Sequence, residues 1–501
     1  MRGLSPGWRA EHVVAANPLR GSNGIAFGPD GLLYVAQFTG GRISTLDVDT
    51  GETAVVADAP LTAPDDLAFD ADGTMYVVDL PPGLVRRRDP DGSLPVVADG
   101  IAAPDGIACV GRRLFVNELV PDGRLLEIEL DGGPPRVLAG GLVMGNAMQA
   151  GPDGQLYYPH LGGGEVWRVA IDGPPRPELV LDGLDRPVAV RFDRDRALLV
   201  LSNATGELLR LDLDTGARTV VETGVGGADN VAVGADGRLF VSGAFRGGIV
   251  ELAHGHAPRS LVPEGLHGPF GITVDGRGRT VVADEFALRV AVPGGAPAQL
   301  GALGATTPLG ARGIAIAGGE LQVTTRLGEL HAGDPERGMR RRAAGLREPG
   351  GVVAAGDGGV LVAETGAGRV LHVDTADTVT VLADGLDRPV DVVRDASGAC
   401  YVSESGHGRV VRVDDGAVLA DGLDGPEGLA ALDGWVYCVE ARAGRLTRIR
   451  PSDGHTATVV TGLATAVLPG HVAPGSGDSP AGRPVPFHAV AVDGASLLVG
   501  A

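Results

Sequence analysis

A unit of about 40 residues recurs along the whole chain, and a period of that length fixes the fold class before any single residue is considered. Aligned on a central "DG" or its equivalent, the units begin near Asn23, Asp65, Asp105, Asn146, Val188, Asp229, Phe270, Arg312, Gly350, Val390, Glu427 and Phe487. Each reads as a short apolar strand ("GIAF", "DLAF", "GIAC", "NVAV"), a turn ("GPDG", "DADG", "GADG") and a second strand ("LLYVA", "TMYVV", "RLFVS"). A third strand follows ("RISTLDV", "RVLHVDT"), then a fourth ending in "ADGL..P" or similar, and helical periodicity is absent. Four short antiparallel strands per unit make a propeller blade, so an all-β chain of about twelve blades is expected.

The ends of the chain suggest how the blades group. Residues 8–20, "WRAEHVVAANPLR", resemble a lone fourth strand, and residues 487–501 a first and second strand without the rest. Exchange of strands removes exposed sheet edges, so residues 8–20 are expected to complete the blade begun at Asp229. The segment near 258–266 then opens a second ring that residues 487–501 close. The expected domains are two six-bladed β-propellers in tandem, 1–256 and 257–501, because propellers have four to eight blades as a rule. The long spacing at 463–486 reads as an inserted loop.

Composition narrows the class of partner. The 81 Gly and 35 Pro among 501 residues, with only 4% aromatic residues, suit many tight turns and thin strands. A formal charge of −21 repels phosphate backbones and anionic lipid, so neither nucleic acid nor membrane is the expected partner and a small-molecule substrate is. No run of about 18 apolar residues appears and the first residues lack an apolar leader core, which suggests a soluble, cytoplasmic protein. Cys109, Cys400 and Cys438 are odd in number and far apart, which indicates neither a disulfide framework nor a thiolate metal site.

In an antiparallel blade the start of strand one and the end of strand two lie at the same end, so both sets line one face of the ring. In the first half the starts are Asn23, Asp65, Asp105, Asn146, Val188 and Asp229 with Asn230. The matching ends are Gln37, Asp79, Glu118, His160, Asn203 and Ser242. Oxygen donors converging on a narrow axis suit a hard cation such as Ca²⁺. Taken singly, each Asn or Asp reads more readily as a turn former than as a ligand. The second half is an internal control, because Asp284, Glu364, Glu404 and Glu440 are each followed five residues later by Arg289, Arg369, Arg409 and Arg445. Such pairs meet across a hairpin as structural salt bridges. In the first half only Gln37, with Arg42, keeps that spacing, leaving Asp79, Glu118, His160 and Asn203 without such a partner. The first propeller is therefore the candidate site.

The "GPDG.LYVA" and "GRV" phrases resemble NHL-type repeats, and the first half is similar to the SMP-30/gluconolactonase/LRE-like family of six-bladed propellers. The resemblance implies one divalent cation on the axis, Ca²⁺ first with Mg²⁺, Mn²⁺ or Zn²⁺ as alternatives, and the opening of lactones or related esters. The family's "GN" resembles "MGN" here and implies Asn146 as a metal ligand. Its later Asp resembles "GADN" and implies Asp229, and its early Glu falls on or near Asn23. Asn230 beside Asp229 is similar to the Asp-Asn pair of paraoxonase-like relatives. The family's "R.NDG" substrate segment reads "AAPDG" at 102–106. On this reading Asp105, Asp79 or His160 takes the proton, and Asn230, Glu118, Asn203 and Asp65 contact substrate. Two other readings are a non-catalytic NHL-type binding platform and a propeller lyase or cyclase acting on a secondary metabolite.

Overall fold

The computed structural model describes residues 3–465 and 488–500, apart from 15, 16, 245, 246, 254, 255, 285, 286, 302–305 and 309. Among them the only helical segment is a single 3₁₀ turn, Thr365–Ala367, and the rest of the regular structure is β. Eleven sheets of four or five strands and one two-stranded hairpin follow one another along the chain, each strand antiparallel to its neighbour. In the first blade the strands are Ser22–Phe27, Leu33–Gln37, Arg42–Leu46 and Thr53–Ala57. The "GPDG" turn between its first two strands closes with Gly31 N–H donating to the Gly28 carbonyl at 3.0 Å. Gly31 sits there at φ 80°, a left-handed conformation that glycine adopts without steric cost.

The blades form two compact units: residues 17–267, and residues 3–14, 268–465 and 488–500. In the first unit the first strands, beginning at Ser22, Pro64, Pro104, Gln149, Pro187 and Ala228, lie each against the next, and the sixth lies against the first. That is a closed six-bladed propeller. Its apolar side chains interleave between blades: Ala36, Ile43 and Leu61 of blade one pack on Leu67, Met75 and Val77 of blade two. The ring closes where Ile25, Leu33 and Val35 meet Ala232, Phe240 and Ile249 of blade six. The second unit closes in the same way through first strands beginning at Pro269, Ala311, Pro349, Pro389, Pro426 and Val490, here blades seven to twelve. The Gly428 N–H donates to His488 O, and the Ala489 N–H to Phe270 O, at the last two seams.

The strand exchange expected at the termini does not occur. The fourth strand of blade six is Arg259–Val262, paired with Ile249–Glu251. The N-terminal segment instead lends Gly3–Leu4 as a fifth strand to blade eleven, against Val460 and Thr461. The first ring thus keeps all its strands between residues 17 and 267, and the division between the rings falls after His267, not near 256. Val490–Asp493 and Ser496–Val499 do supply the first two strands of the last blade. The inserted loop lies almost entirely outside the described residues, and so does Phe487.

One irregularity recurs. In ten of the twelve blades the first residue of strand one pairs with the end of strand two, and pairing then slips over one or two residues before resuming. Such a bulge re-aims the side chains it carries. The bulged residues are the positions that sequence periodicity marks as strand-one starts. Glycine is common at the second bulged position because the next blade's backbone approaches there: a Cβ on Gly106 would overlap the Asn146 carbonyl, and one on Gly271 the Arg312 carbonyl.

Candidate functional site

The bulges of the first ring bring Asn23, Asp65, Asp66, Asp105, Asn146, Asp229 and Asn230 around one axis. Six of them are buried and Asp229 is half-buried. Asn23 hydrogen-bonds the Asp65 carboxyl. Asn146 Nδ2 donates to Asp105 Oδ2 at 3.2 Å, and Asn230 Nδ2 to Asp66 Oδ1 at 3.2 Å from four blades further along the chain. Burial pushes the Asp65 acid well above the ordinary carboxylate range, and the charges of Asp229 and Asp66 push it further. Asp105 is raised in the same manner, by burial and then by Asp65, Asp229 and Asp66. Asp229 rises to about 7 through burial and the Asp66 charge. Like-charged groups forced together out of water behave so when no cation balances them.

Asp66 is the partial exception. Burial raises it to about 6, and the Arg191 guanidinium with the Leu67 and Ile107 amides restrains the rise. Arg191 donates to the Met148 and Val190 carbonyls at 3.1 and 2.8 Å and to Asn230 Oδ1 at 2.7 Å. The chain Arg191–Asn230–Asp66 therefore ties blades five, six and two together. Neither Asp66 nor Arg191 is picked out by the strand-one-start rule. The signal that would have found Asp66 is the doubled acid "PDD" at 64–66, where neighbouring units read "SNG" and "PDG".

The second strand ends divide differently from the expectation. Asp79 and Glu118 do have partners, at spacings of seven and six residues instead of five. Asp79 accepts from Thr62 N–H and Oγ, and Ala63 N–H, and lies 3.6 Å from Arg86. Glu118 pairs with Arg124 at 2.5 Å and accepts from the Ala102 amide. Burial would raise the Glu118 acid, but these donors outweigh it and hold it below its usual value. Both acids thus cap the loops that enter their own blades, and neither contributes to the shifts of the central carboxyls. Asn203 Nδ2 donates to the Ala228 carbonyl at 2.8 Å, and Ser242 Oγ to the Asn23 carbonyl at 2.5 Å, so these two are seam residues between blades. Gln37 holds Ser44 and the Arg20 amide instead of Arg42.

His160 remains. Its backbone bridges Gly145, next to Asn146, and its ring stacks on Trp167 at 5.7 Å and leans on Tyr158. Both ring nitrogens are buried with no hydrogen-bond partner, the nearest acid being Glu165 at 3.5 Å from Nδ1. Burial lowers its pKa against the opposing pull of Glu165, which keeps the imidazole neutral and able to accept a proton.

A hard cation fits this donor set by chemistry: the oxygens belong to Asp and Asn, the acids lack a balancing charge, and Asn23 Oδ1 is buried with no hydrogen-bond partner. Among the described residues, however, no three His, Cys, Asp or Glu side chains stand close enough to enclose an ion as they are.

At the bulges of the second ring stand Phe270, Arg312, Gly350, Val390, Glu427 and His488. Arg312 lies over the Phe270 ring at 6.0 Å and His488 Nδ1 is 2.8 Å from Glu427. The four expected hairpin pairs all form: Asp284–Arg289 at 2.7 Å, Glu364–Arg369, Glu404–Arg409 and Glu440–Arg445 at 2.6 Å. Their carboxylates are fully buried, so removing an Arg partner would leave an uncompensated buried charge.

No protein-family model matches the chain, and no curated protein matches it. Among solved structures it is similar to a chain of a nidogen/laminin complex, at 22% identity over 41% of this chain and 81% of that one, with a TM-score of 0.38. It is also similar to a gluconolactonase of Xanthomonas campestris, at 20% identity over 46% of this chain and 86% of that one, with a TM-score of 0.40. No helix of the described residues is long and apolar enough to cross a membrane.

Proposed function

We propose that the N-terminal propeller is a divalent-cation-dependent hydrolase of the SMP-30/gluconolactonase type, opening a lactone or related ester of a small molecule. The observation that supports it is the group of mutually repelling carboxyls Asp65, Asp105 and Asp229 beside the unsatisfied Asn23 Oδ1. Asn23, Asn146 and Asp229 would hold the cation, which when bound polarises a carbonyl and lowers the pKa of water. Asp65 lies beside them, and its charge favours a cation over an anion. Asp105 is oriented by Asn146 Nδ2. His160, kept neutral by burial, is the better-placed proton acceptor of the three candidates, since Asp79 is tied to Thr62 and Ala63. Asn230 holds Asp66.

The alternative is a binding platform, and one observation favours it: among the described residues no three His, Cys, Asp or Glu side chains enclose a point, while Asn146 and Asn230 already donate to Asp105 and Asp66. Hydrolysis of a panel of lactones and aryl esters by chelator-treated protein, before and after adding Ca²⁺, Mg²⁺, Mn²⁺ or Zn²⁺, separates the two. The hydrolase reading expects metal-restored turnover that Asp229→Ala abolishes, Asn146→Ala weakens less completely, and His160→Gln slows with an altered pH profile. Metal-independent or absent turnover across the panel favours the platform.

A further inference from the structure

The C-terminal ring repeats the Asp66 arrangement without its counter-ion. Asp391 occupies the second bulged position of blade ten, as Asp66 does in blade two. Its Oδ1 accepts from its own neighbour Val392 N–H, and its Oδ2 from Leu429 N–H of the next blade, both at 2.8 Å. Leu429 corresponds to Ile107, whose amide serves Asp66. Each carboxyl is also admitted by a glycine in the preceding blade, since a Cβ on Gly24 would overlap Asp66 and one on Gly351 would overlap Asp391.

Around the rest of the axis the rings part. Arg191 stands three blades beyond Asp66, at the fifth position of its first strand, and Asn230 four blades beyond. Counting the same steps from Asp391 around its own closed ring reaches Thr273 and Gly313. Where one ring has a guanidinium and an amide, the other has a hydroxyl and no side chain. All six first strands of the C-terminal ring line a cavity of about 200 Å³, with Thr273 and Asp391 in its wall among Ile272, Ile314, Val352 and Val490. That volume exceeds the roughly 30 Å³ share of one water and falls short of the roughly 300 Å³ of sites for larger ligands.

Few other charges face Asp391. Arg394, the other charged residue of the wall, is exposed and turns its guanidinium toward Gly356 and Gly398. The nearby acids Glu427 and Glu440 are paired with His488 and Arg445. Cys438, which feels Asp391, Glu427 and Glu440, is buried and held protonated. A buried carboxylate without a cation is costly, and a cation of the right size relieves that cost.

We propose that the channel of the C-terminal ring binds a small organic cation of the alkylammonium or guanidinium class on Asp391, in the place that Arg191 takes in the N-terminal ring. An N–H group of the guest donates to the Asp391 oxygens while its short alkyl part lies against Ile272, Ile314 and Val352. Burial raises the Asp391 acid to about 7, with the Leu429 and Val392 amides opposing, so the cation competes with a proton. Affinity therefore rises about tenfold per pH unit below about 7 and levels off above it.

The test is calorimetric titration of the full-length protein at pH 8 with n-propylammonium and methylguanidinium, using 1-propanol and methylurea as neutral isosteres. One saturable site is expected for the cations and none for the isosteres. Thr273→Arg, which supplies a tethered guanidinium and leaves Asp391 in place, should weaken binding at least tenfold, whereas Thr273→Val should not. Asp391→Asn should abolish it; if that variant does not fold, Thr273→Arg decides. Equal heats for cations and isosteres, or a Thr273→Arg protein that binds like the wild type, overturns the proposal.

Discussion

The two propellers share a blade architecture, and a telling contrast lies in the six residues at the starts of their innermost strands. In the N-terminal ring these are Asn23, Asp65, Asp105, Asn146, Val188 and Asp229, and the outcome is a buried, charge-unbalanced cluster. In the C-terminal ring they are Phe270, Arg312, Gly350, Val390, Glu427 and His488, whose charges are neutralised locally by a cation–π contact and an ion pair. The bulge aims side chains at the axis in both rings, so the fold supplies the position and the residue type alone supplies the chemistry.

The largest effect should come from the glycines that let neighbouring blades approach. Gly351→Ala would overlap Asp391 and cost about 3 kcal/mol or more in urea unfolding. Gly51→Ala, at a turn with open space and φ 77°, should cost only about 1 kcal/mol. Equal losses would mean that close approach at the axis is not what these glycines serve.

Next comes pH. The Asp229 acid is raised to about 7, so the folded state retains a proton that the unfolded chain releases near pH 4. The stability it contributes is fully present below pH 4 and is lost as pH rises through about 7. In chelator, Asp229→Asn should lessen the wild type's decline between pH 4 and 7 by about 2 to 3 kcal/mol. Parallel pH profiles of variant and wild type would place the charge imbalance elsewhere. Asp391 should give the same sign in the other ring, through its rise to about 7.

In the C-terminal ring Glu404 is fully buried and accepts from Arg409 and the Asp387 amide. Glu404→Gln should cost about 2 kcal/mol, as for a buried charged hydrogen bond, and leave any cation uptake or hydrolysis unchanged. Loss of activity with folding intact would move the site to the other ring. The smallest effect belongs to Val188→Ala, which trims a core residue at the one apolar bulge of the first ring, 2% exposed. About 1 kcal/mol of stability should go, by thermal melting, with cation uptake intact.

Much of this was legible in the chain. The repeat of about 40 residues yields the blades, and the Arg five residues after Asp284, Glu364, Glu404 and Glu440 yields four real ion pairs. The terminal strands were not legible, because "WRAEHVVAANPLR" has strand-like composition but nothing in composition says which edge a strand joins. Asp79 and Glu118 were misread because their arginines stand seven and six residues away, outside the spacing of five. Arg191 was invisible to the same reasoning, since it lies on the fifth residue of an apolar strand, "PVAVRF", and finds Asn230 and Asp66 only when the ring closes.

The central claim, that the N-terminal ring alone holds an oxygen-donor cation site, is tested most directly by counting ions. Protein dialysed against a weak chelator and re-equilibrated with Ca²⁺ or Mn²⁺ should carry one ion per chain by elemental analysis. Asp229→Ala should carry none, and Glu404→Gln and Val188→Ala should match the wild type. A wild type that takes up no stoichiometric ion, or an Asp229→Ala protein that keeps it, contradicts the account.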